Sequence, residues 1–418
     1  MTRHFSALVG AVTLGASIAA APVYAEPKAE VLHYWTSGGE AMAVKALQEA
    51  FAGRGGTWID APVAGGGGDA QAAVLRARVL AGDPPSAVQI KGPNIQEWAE
   101  AGALADLSEV ATAQGWDAVL PAAIQDIVKY EGAYVAVPVN VHRVDWIWAN
   151  PEVLAKVGAG VPTTWDEFNE TAEKLIAAGI IPLAHGGQPW QDATVFETVV
   201  LGIGGVEFYR KALVELDMDA LGSDTMVAVF DQMRKMRGYV DPDFPGRDWN
   251  LATAMVMRGE AAMQIMGDWA KGEFAAAGKV PGVDYICAST PSENGYLLNS
   301  DSFAMFNVSG DDSIAGQEIL AELILGTEFQ ETFNLLKGSI PARTDVPRDQ
   351  FDDCAIKSMD DMVSAAAGNT LLGSMAHEIA QSGAVRGAFI DVATSHFNSD
   401  MSSADAVKEL VSAINLAQ

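Results

Sequence analysis

VLHYWTSGGE, residues 31–40, joins a short apolar run to a glycine turn and an acidic residue. Its first half is rich in residues that favour strands, and the Thr-Ser-Gly-Gly segment would end such a strand. Behind the glycines, apolar side chains recur at the spacing of one face of an amphipathic helix, namely Val44, Leu47 and Phe51. The segment therefore predicts a strand, a glycine turn and a helix whose first turn carries Glu40.

Two aromatic residues, Tyr34 and Trp35, and the carboxylate of Glu40 follow this predicted strand. Open α/β sheets bind their ligands at the carboxyl ends of strands, so the three side chains are candidates for a binding site. The alternative is structural: Trp35 would belong to the core, and Glu40 would only complement the helix dipole. This segment alone favours neither interpretation.

Strand-like and helix-like segments alternate along the first third of the chain, which predicts an α/β fold with a parallel sheet. Predicted strands include residues 57–63 and 87–91, and the second places Gln89 and Lys91 on one face. A long β-rich run at 133–148 is interrupted by a proline. Because 418 residues exceed what one hydrophobic core usually supports, we expect two lobes with a crossing between them in this run.

The first 25 residues have the features of a secretory signal peptide. Arg3 supplies a positive charge, residues 7–21 are mostly apolar, and Val23-Tyr24-Ala25 offers small residues for cleavage after about Ala25. A membrane anchor is the weaker alternative, because the apolar run is short and contains polar residues. We therefore expect export to the periplasm.

The formal net charge is −28, from 26 basic and 54 acidic residues. A surface of this sign repels nucleic acid and anionic membranes. Neither is expected as a partner.

Two cysteines, Cys287 and Cys354, are too few for a disulfide scaffold. They are predicted to be two separate thiols. The alternative is a disulfide that closes a long loop, which an oxidising compartment would allow.

Motifs of nucleophilic catalysis and metal binding are missing from the sequence. No G-x-S-x-G, H-E-x-x-H or C-x-x-C segment occurs, and the six histidines form no pattern around a serine or cysteine. His377 and Glu378 are predicted to lie on a helix, where adjacent side chains face different directions. No metal, no cofactor and no catalytic activity are therefore expected. The pair Glu40 and Asp301 leaves glycoside hydrolysis as the alternative from another functional class.

Aromatic residues and isolated charges recur at predicted strand ends and in loops. Sugars need this combination, because their C–H faces pack on flat rings and their hydroxyls need fixed donors and acceptors. A charged partner makes each hydrogen bond worth about 1.5–3 kcal/mol, against about 1 kcal/mol for a neutral partner. The set is Trp35, Glu40, Lys91, Trp190, Trp249, Trp269, Asp301, Lys337 and His377.

Seven segments, in this order and spacing, resemble a known family: HYWTSGGE, VQIKG, VPVNVHR, GDWA, NSDSFA, LLKGSIPAR and MAHE. The chain resembles the family-1 extracellular solute-binding proteins that serve sugar ABC transporters, and is most similar to the glucose/mannose-binding branch. The resemblance implies an α/β, two-lobed periplasmic-binding-protein fold of type II with hinge strands and a ligand cleft between the lobes.

The resemblance also implies how the chain is divided between the lobes. The N-terminal lobe would hold residues 26–137 plus 302–340, and the C-terminal lobe residues 141–298 plus 343–418. Hinge crossings would lie near 138–140, 299–301 and 339–342.

In that branch the sugar is held between aromatic rings, which fall here on Trp35 and Trp269, with Trp249 as a further ring. The implied polar contacts are Glu40, Lys91, Asp301, Lys337 and His377, and Gln89 is added because it shares a face with Lys91. One departure is Tyr34, where relatives commonly have a second tryptophan. Its hydroxyl needs a partner, which bears on the preferred sugar.

The implied function is that of an extracytoplasmic sugar-binding component of an ABC transporter. The expected ligand is a monosaccharide, with glucose the first choice among aldohexoses, and the expected partner is a membrane permease. The protein is expected to be a monomer. A disaccharide, a uronic acid or a polyol is the alternative ligand for the same fold.

Overall fold

The computed structural model describes residues 1–2, 26–292 and 294–418. The predicted signal peptide lies outside these residues except for its first two. No helix in the described ranges is long and apolar enough to cross a membrane.

The described chain alternates short strands with helices. The strands are β1 Lys28–His33, β2 Thr57–Pro62, β3 Ala87–Ile90, β4 Lys129–Tyr130, β5 Ala133–Tyr134, β6 Ala136–Pro138, β7 His142–Arg143, β8 Trp146–Ala149, β9 Ile181–Leu183, β10 Ala261–Ile265, β11 Ile286–Ser289, β12 Tyr296–Asn299, β13 Ser302–Met305 and β14 Leu371–Gly373. The helices are α1 Gly38–Gly53, α2 Asp69–Leu80, α3 Pro93–Glu100, α4 Ser108–Gln114, α5 Trp116–Val119, α6 Ala122–Val128, α7 Pro151–Ala155, α8 Trp165–Ala177, α9 Pro189–Tyr209, α10 Met218–Leu221, α11 Asp224–Arg237, α12 Trp249–Met257, α13 Ala270–Ala276, α14 Asp311–Ile324, α15 Thr327–Lys337, α16 Asp353–Ala367, α17 Gly383–Asn398 and α18 Ser403–Ala417. A π-helix, Arg210–Val214, continues α9.

The largest sheet has five strands in the order β2-β1-β3-β13-β6. β1 is parallel to both β2 and β3, as the alternation of strands and helices predicted. β13 comes from much later in the chain and pairs antiparallel with β3 on one side and β6 on the other. Apolar residues of this sheet and of its helices, among them Val31, Leu47, Phe51, Phe303 and Phe333, form what we call the first core.

A second sheet has the order β11-β8-β10-β9. Its strands and the surrounding helices bury a separate group of side chains, the second core, which includes Ile147, Phe196, Phe230, Met233 and Phe274. A methionine and phenylalanine stripe predicted on α11 lies in this core, fully buried. A third, smaller sheet has the order β14-β12-β7.

Three chain segments pass from the first sheet towards the others. The chain leaves β6 at Pro138 and enters β7 at His142, and it leaves β12 at Asn299 and enters β13 at Ser302. Val141 and Ile340 exchange backbone hydrogen bonds of 2.8 and 3.0 Å, so the third segment joins the other two. The hinge crossings and the division of the chain between the lobes stay predictions.

A disulfide joins Cys287 on β11 to Cys354 on α16, with their Cα atoms 6.1 Å apart. The prediction of two separate thiols is therefore wrong. The sequence separation of 67 residues gives no hint of this contact, because it depends on how α16 packs against the second sheet.

Two local predictions also need correction. Residues 375–378, which contain His377 and Glu378, form a turn after β14 and not a helix. Glu378 in this turn has a φ of +65°, a conformation that helices exclude. Asp69 follows a run of four glycines and is predicted as the N-cap of the next helix, but it is the first residue of α2, whose N-cap is Gly68.

Candidate functional site

A small cavity lies where the three crossing segments meet the ends of β1 and β3. Aromatic rings, charged groups and two imidazoles share its wall. The lining residues are Tyr34, Trp35, Gly67, Lys91, His142, Trp190, Trp269, Asn299, Asp301, Lys337 and His377.

The structure brings six of the nine predicted site residues to this cavity: Trp35, Lys91, Trp269, Asp301, Lys337 and His377. The other three, Glu40, Gln89 and Trp249, do not line it. Trp249 begins α12 and is buried in the second core, and its role as a sugar-stacking ring stays a prediction.

Trp35 follows β1 and is only 2% exposed. Its ring packs against Phe303 and Phe333, with centroids 5.7 and 5.4 Å away. The Lys337 ammonium lies 5.5 Å from the same indole. Both sequence-based interpretations therefore apply, because the first core holds one part of the ring while another part lines the cavity.

Trp269 faces the cavity from the start of α13. Its ring centroid is 5.2 Å from that of His142, 4.9 Å from that of His377 and 6.4 Å from that of Trp190. Trp190 is fixed in turn by a hydrogen bond of 2.9 Å from its Nε1 to Gln188 Oε1. The three rings around Trp269 limit its rotation, so the cavity keeps a rigid aromatic wall.

Asp301 lies between β12 and β13 and accepts hydrogen bonds on both carboxylate oxygens. Oδ1 is 3.2 Å from the Tyr34 hydroxyl and 3.0 Å from Gln89 Nε2, and Oδ2 is 3.1 Å from Asn140 Nδ2 and 3.2 Å from His142 Nε2. Burial would raise the pKa of Asp301. The hydrogen bond and charge of His142, with the ammonium groups of Lys337 and Lys91, lower it instead.

His142 stands between two carboxylates. Its Nδ1 is hydrogen-bonded to Asp268, and its Nε2 faces Asp301. Burial alone would lower the pKa of this imidazole, but the charge of Asp268 and the hydrogen bonds to both carboxylates raise it. The raised pKa favours protonation of the ring, whose Nε2 also lies 2.9 Å from the side-chain amide nitrogen of Asn140.

The two lysines of the cavity are each paired with a carboxylate behind them. Lys337 Nζ lies 3.3 Å from Glu40 Oε1. Lys91 Nζ lies 3.6 Å from Glu378 Oε2 and 3.3 Å from the Gly67 carbonyl oxygen, and it is 5.3 Å from the Tyr34 ring. The pairing neutralises each ammonium while leaving donor protons for a ligand.

Glu40 and Gln89 act behind the cavity wall. The second carboxylate oxygen of Glu40 accepts from the Ser37 hydroxyl at 3.0 Å, so the side chain also caps α1. Gln89 accepts from the Tyr34 backbone at 3.2 Å while its amide holds Asp301. Both residues therefore position groups that line the cavity.

The pKa of His377 is shifted in the opposite direction to that of His142. Its Nε2 is 3.0 Å from the Thr194 hydroxyl, which already donates its proton to the Trp190 carbonyl oxygen. The hydrogen-bond network therefore assigns a proton to Nε2 and leaves Nδ1 as an acceptor. Burial, followed by the charges of Lys91 and Arg386, lowers the pKa of His377 well below its usual value, so the ring is neutral.

Asn299 at the end of β12 carries an unused acceptor. The residue is 3% exposed and lines the cavity, and its Oδ1 has no hydrogen-bond partner among the described residues. A buried amide oxygen without a donor is costly. A ligand hydroxyl in the cavity would satisfy it.

Sequence reasoning did not select His142 and Asn299 at all, and it named Tyr34 and Trp190 as candidates without placing them among the expected sugar contacts. Three of them nevertheless lie within the segments that carried the resemblance, HYWTSGGE, VPVNVHR and NSDSFA. The signal was therefore present. Choosing among the polar residues of a segment requires knowing which way each side chain points.

The family described as bacterial extracellular solute-binding protein matches residues 36–312. This chain belongs to that family. A probable sugar-binding periplasmic protein of Brucella melitensis biotype 1 is 53% identical over 390 residues, which cover 93% of this chain and 92% of the relative. A protein with the same description from Rhizobium meliloti is 51% identical over 402 residues, covering 96% and 97%.

Comparison with solved structures establishes the architecture of this chain. The bacterial solute receptor AcbH superposes with a TM-score of 0.79 at 18% identity, covering 94% of this chain and 99% of the receptor. Maltose-bound MalE3 of T. maritima gives a TM-score of 0.75 at 18% identity, covering 94% and 100%. The predicted two-lobed α/β fold is therefore confirmed. The narrower glucose/mannose branch stays a prediction.

Metal binding has no support in the described part of the chain. No group of three or more His, Cys, Asp or Glu side chains there is arranged to hold a metal ion. What the cavity does offer is aromatic surface with paired hydrogen-bond donors and acceptors.

Proposed function

We propose that this protein binds one sugar ring in the cavity between its lobes and delivers it to the membrane permease of an ABC transporter. The observation that carries the proposal is the cavity itself. There, flat indoles meet donors and acceptors from both cores. Relatives described as probable sugar-binding periplasmic proteins support the same ligand class.

The lining of the cavity favours a monosaccharide. The indoles of Trp35 and Trp269 and the hydrogen-bonding groups of Asn299 and His377 belong to one small cavity. A single pyranose would place a C–H face on Trp269 and its hydroxyls on Asn299 Oδ1 and His377 Nδ1. We propose an aldohexose, with glucose the first choice.

The charges favour a neutral sugar over a uronic acid. The cations Lys91, Lys337 and His142 face the carboxylates of Glu378, Glu40, Asp268 and Asp301. Each of these groups is thus already paired, and Arg386 also faces Glu378 at 3.7 Å. A ligand carboxylate would therefore find no unpaired cation among them, whereas hydroxyls can use both the donors and the acceptors.

The same contacts argue against glycoside hydrolysis by Glu40 and Asp301. Glu40 does not line the cavity and is engaged by Lys337 and Ser37. The pKa of Asp301 is lowered, which is the reverse of what a general acid needs. We propose binding without catalysis.

A periplasmic location agrees with the disulfide between Cys287 and Cys354, since such bonds persist in oxidising compartments. The predicted signal peptide and the descriptions of the relatives support the same compartment. The hinge crossings near 138–140, 299–301 and 339–342, and the lobe boundaries that go with them, are part of the proposal. A monomer is proposed as the working form.

Calorimetric titration with a small panel tests the proposal: D-glucose, D-galactose, D-mannose, D-xylose, maltose and D-glucuronate. We expect one-to-one binding of a hexose, tightest for glucose and weakest for glucuronate. The bound hexose should also raise the melting temperature with concentration and be recovered unchanged after prolonged incubation. No binding of any sugar would refute the function, and a cleaved product would favour hydrolysis.

A further inference from the structure

A carboxylate from the second core contacts the first turn of a helix from the first core. The backbone N–H of Gly39 on α1 donates to Glu273 Oε1 on α13 at 2.8 Å. α1 buries Leu47 and Phe51 in the first core, whereas α13 buries Phe274 in the second. The free N–H groups and the dipole at a helix N-terminus attract a carboxylate, so this contact holds the two halves together.

Glycines make this approach very close. A Cβ on Gly39 would lie 2.8 Å from the carbonyl carbon of Gly272, and a Cβ on Gly272 would lie 2.8 Å from the carbonyl oxygen of Lys337. The start of α1, the middle of α13 and the end of α15 therefore touch backbone to backbone. A side chain at Gly39 would push the two cores apart.

The same contact controls two residues of the cavity. Trp269 immediately precedes α13, and Glu273 follows it by four residues, which places both side chains on one side of the helix. Lys337 ends α15 beside Gly272 and pairs with Glu40, the neighbour of Gly39. Glu273 itself does not line the cavity. Its influence on a ligand therefore acts through the approach of α13 to α1.

We propose that Glu273 is a positioning residue for sugar binding, whose carboxylate on the first turn of α1 holds the lobes closed with Trp269 against the ligand. This inference rests on the proposed function. The closed form is the state that holds the sugar, and affinity scales with the fraction of protein in that state. A variant that closes less often should therefore release its sugar faster. The loss of Glu273 should therefore appear mainly in the dissociation rate.

The first test compares Glu273→Gln with Glu49→Gln, a control on the exposed face of α1. Dissociation of D-glucose, measured by stopped-flow tryptophan fluorescence, should be about tenfold faster in E273Q. Association should stay within about twofold, and E49Q should behave as the wild type. Equal dissociation rates in all three proteins would overturn the role of Glu273.

The second test separates closure from stability. Gly39→Ala replaces glycine with a better helix former, so the sugar-free protein should melt at the same or a higher temperature while its affinity for glucose falls more than tenfold. Gly53→Ala, in open space at the other end of α1, is the matched control and should bind normally. An unchanged affinity in G39A would overturn the close approach.

D-galactose, D-mannose and D-xylose replace glucose in turn if the wild type does not bind it. A wild type that binds none of the four sugars overturns both the function and the role of Glu273. A wild type that binds, with variants that release sugar at the same rate, overturns the role of Glu273 alone.

Discussion

His142 and Asp301 form the electrostatic centre of the cavity. The imidazole bridges Asp268 and Asp301, and the lowered pKa of Asp301 keeps its carboxylate ionised. The imidazole and the two carboxylates already hold one another in place through hydrogen bonds. A ligand therefore meets charged groups whose orientation is fixed before it binds. Preorganised charges of this kind save the ordering cost that weakens binding.

Replacing Asp301 by Asn should impair both folding and binding. The new amide would present two donors to Tyr34, Gln89, Asn140 and His142, which donate to this carboxylate, and breaking a buried pair costs about 3–5 kcal/mol. Urea unfolding of the sugar-free protein should show such a loss, and titration should show a more than tenfold loss of affinity. Asp312→Asn, which removes a surface pair with Lys28, should leave both properties near wild type.

Trp269→Ala should weaken hexose binding at least tenfold, about 1.4 kcal/mol, because it removes the ring that faces the cavity between His142 and His377. Trp249→Phe is the control, since that indole lies in the second core and does not line the cavity. Calorimetry decides the comparison. Equal losses in both variants would mean that tryptophan truncation acts through the core.

At the scale of elements, the sequence predicted most where the signal is local. The spacing of Thr164 and Glu167 is that of a capping box, and Glu167 N does donate to Thr164 Oγ1 at 3.1 Å at the start of α8. The strand, turn and helix of residues 31–40 also form as predicted. Each of these depends on neighbours within one or two turns of chain.

Predictions failed where packing between distant elements decides the outcome. The turn containing His377 is held by buried Glu197 on α9, which accepts from the backbone N–H groups of Met375 and Ala376 at 2.8 and 3.2 Å. This contact leaves no periodic trace in the sequence, because its partner is far away along the chain.

Helix α17 carries a group that should make stability sensitive to acid. His396 is buried against Phe230, and neither ring nitrogen has a partner in the described chain. Burial, with the charge of Arg234, lowers the pKa of His396 to about 4. Below pH 6.5 the unfolded chain binds a proton that the folded chain does not, so the free energy of unfolding falls as the pH drops.

His396→Leu should remove that sensitivity. As the pH falls from 7.5 to 4.5, the stability of the variant relative to the wild type should rise by roughly 2–3 kcal/mol, since each pKa unit is worth about 1.4 kcal/mol. Urea unfolding at a series of pH values measures the difference. A gain that is the same at every pH would assign the effect to packing and not to protonation.

At the scale of the whole molecule, the disulfide is a further constraint on stability. Replacing Cys287 and Cys354 together by Ala should lower the free energy of unfolding by about 4 kcal/mol, the value expected for closing a loop of this length. Urea unfolding of the variant and of the reduced wild type should agree. The unreduced wild type should show no free thiol, and two titrating thiols would contradict the bond.

The two-lobed architecture was predicted from chain length and from the resemblance, whereas the site needed the folded chain. Trp35, Lys91, Trp269, Asp301, Lys337 and His377 are spread over more than 300 residues, yet all six line one cavity. Residue types identified them as candidates. Only the crossing of three segments between the sheets places them side by side.

The position of β13 has a consequence for how the molecule is assembled. This strand lies between β3 and β6, so the first sheet stays split until residue 305 is available. A chain that emerges from the ribosome amino end first therefore cannot complete its leading half alone. Its nascent form remains open while nearly three quarters of it is made, which is the state that a secretion channel accepts.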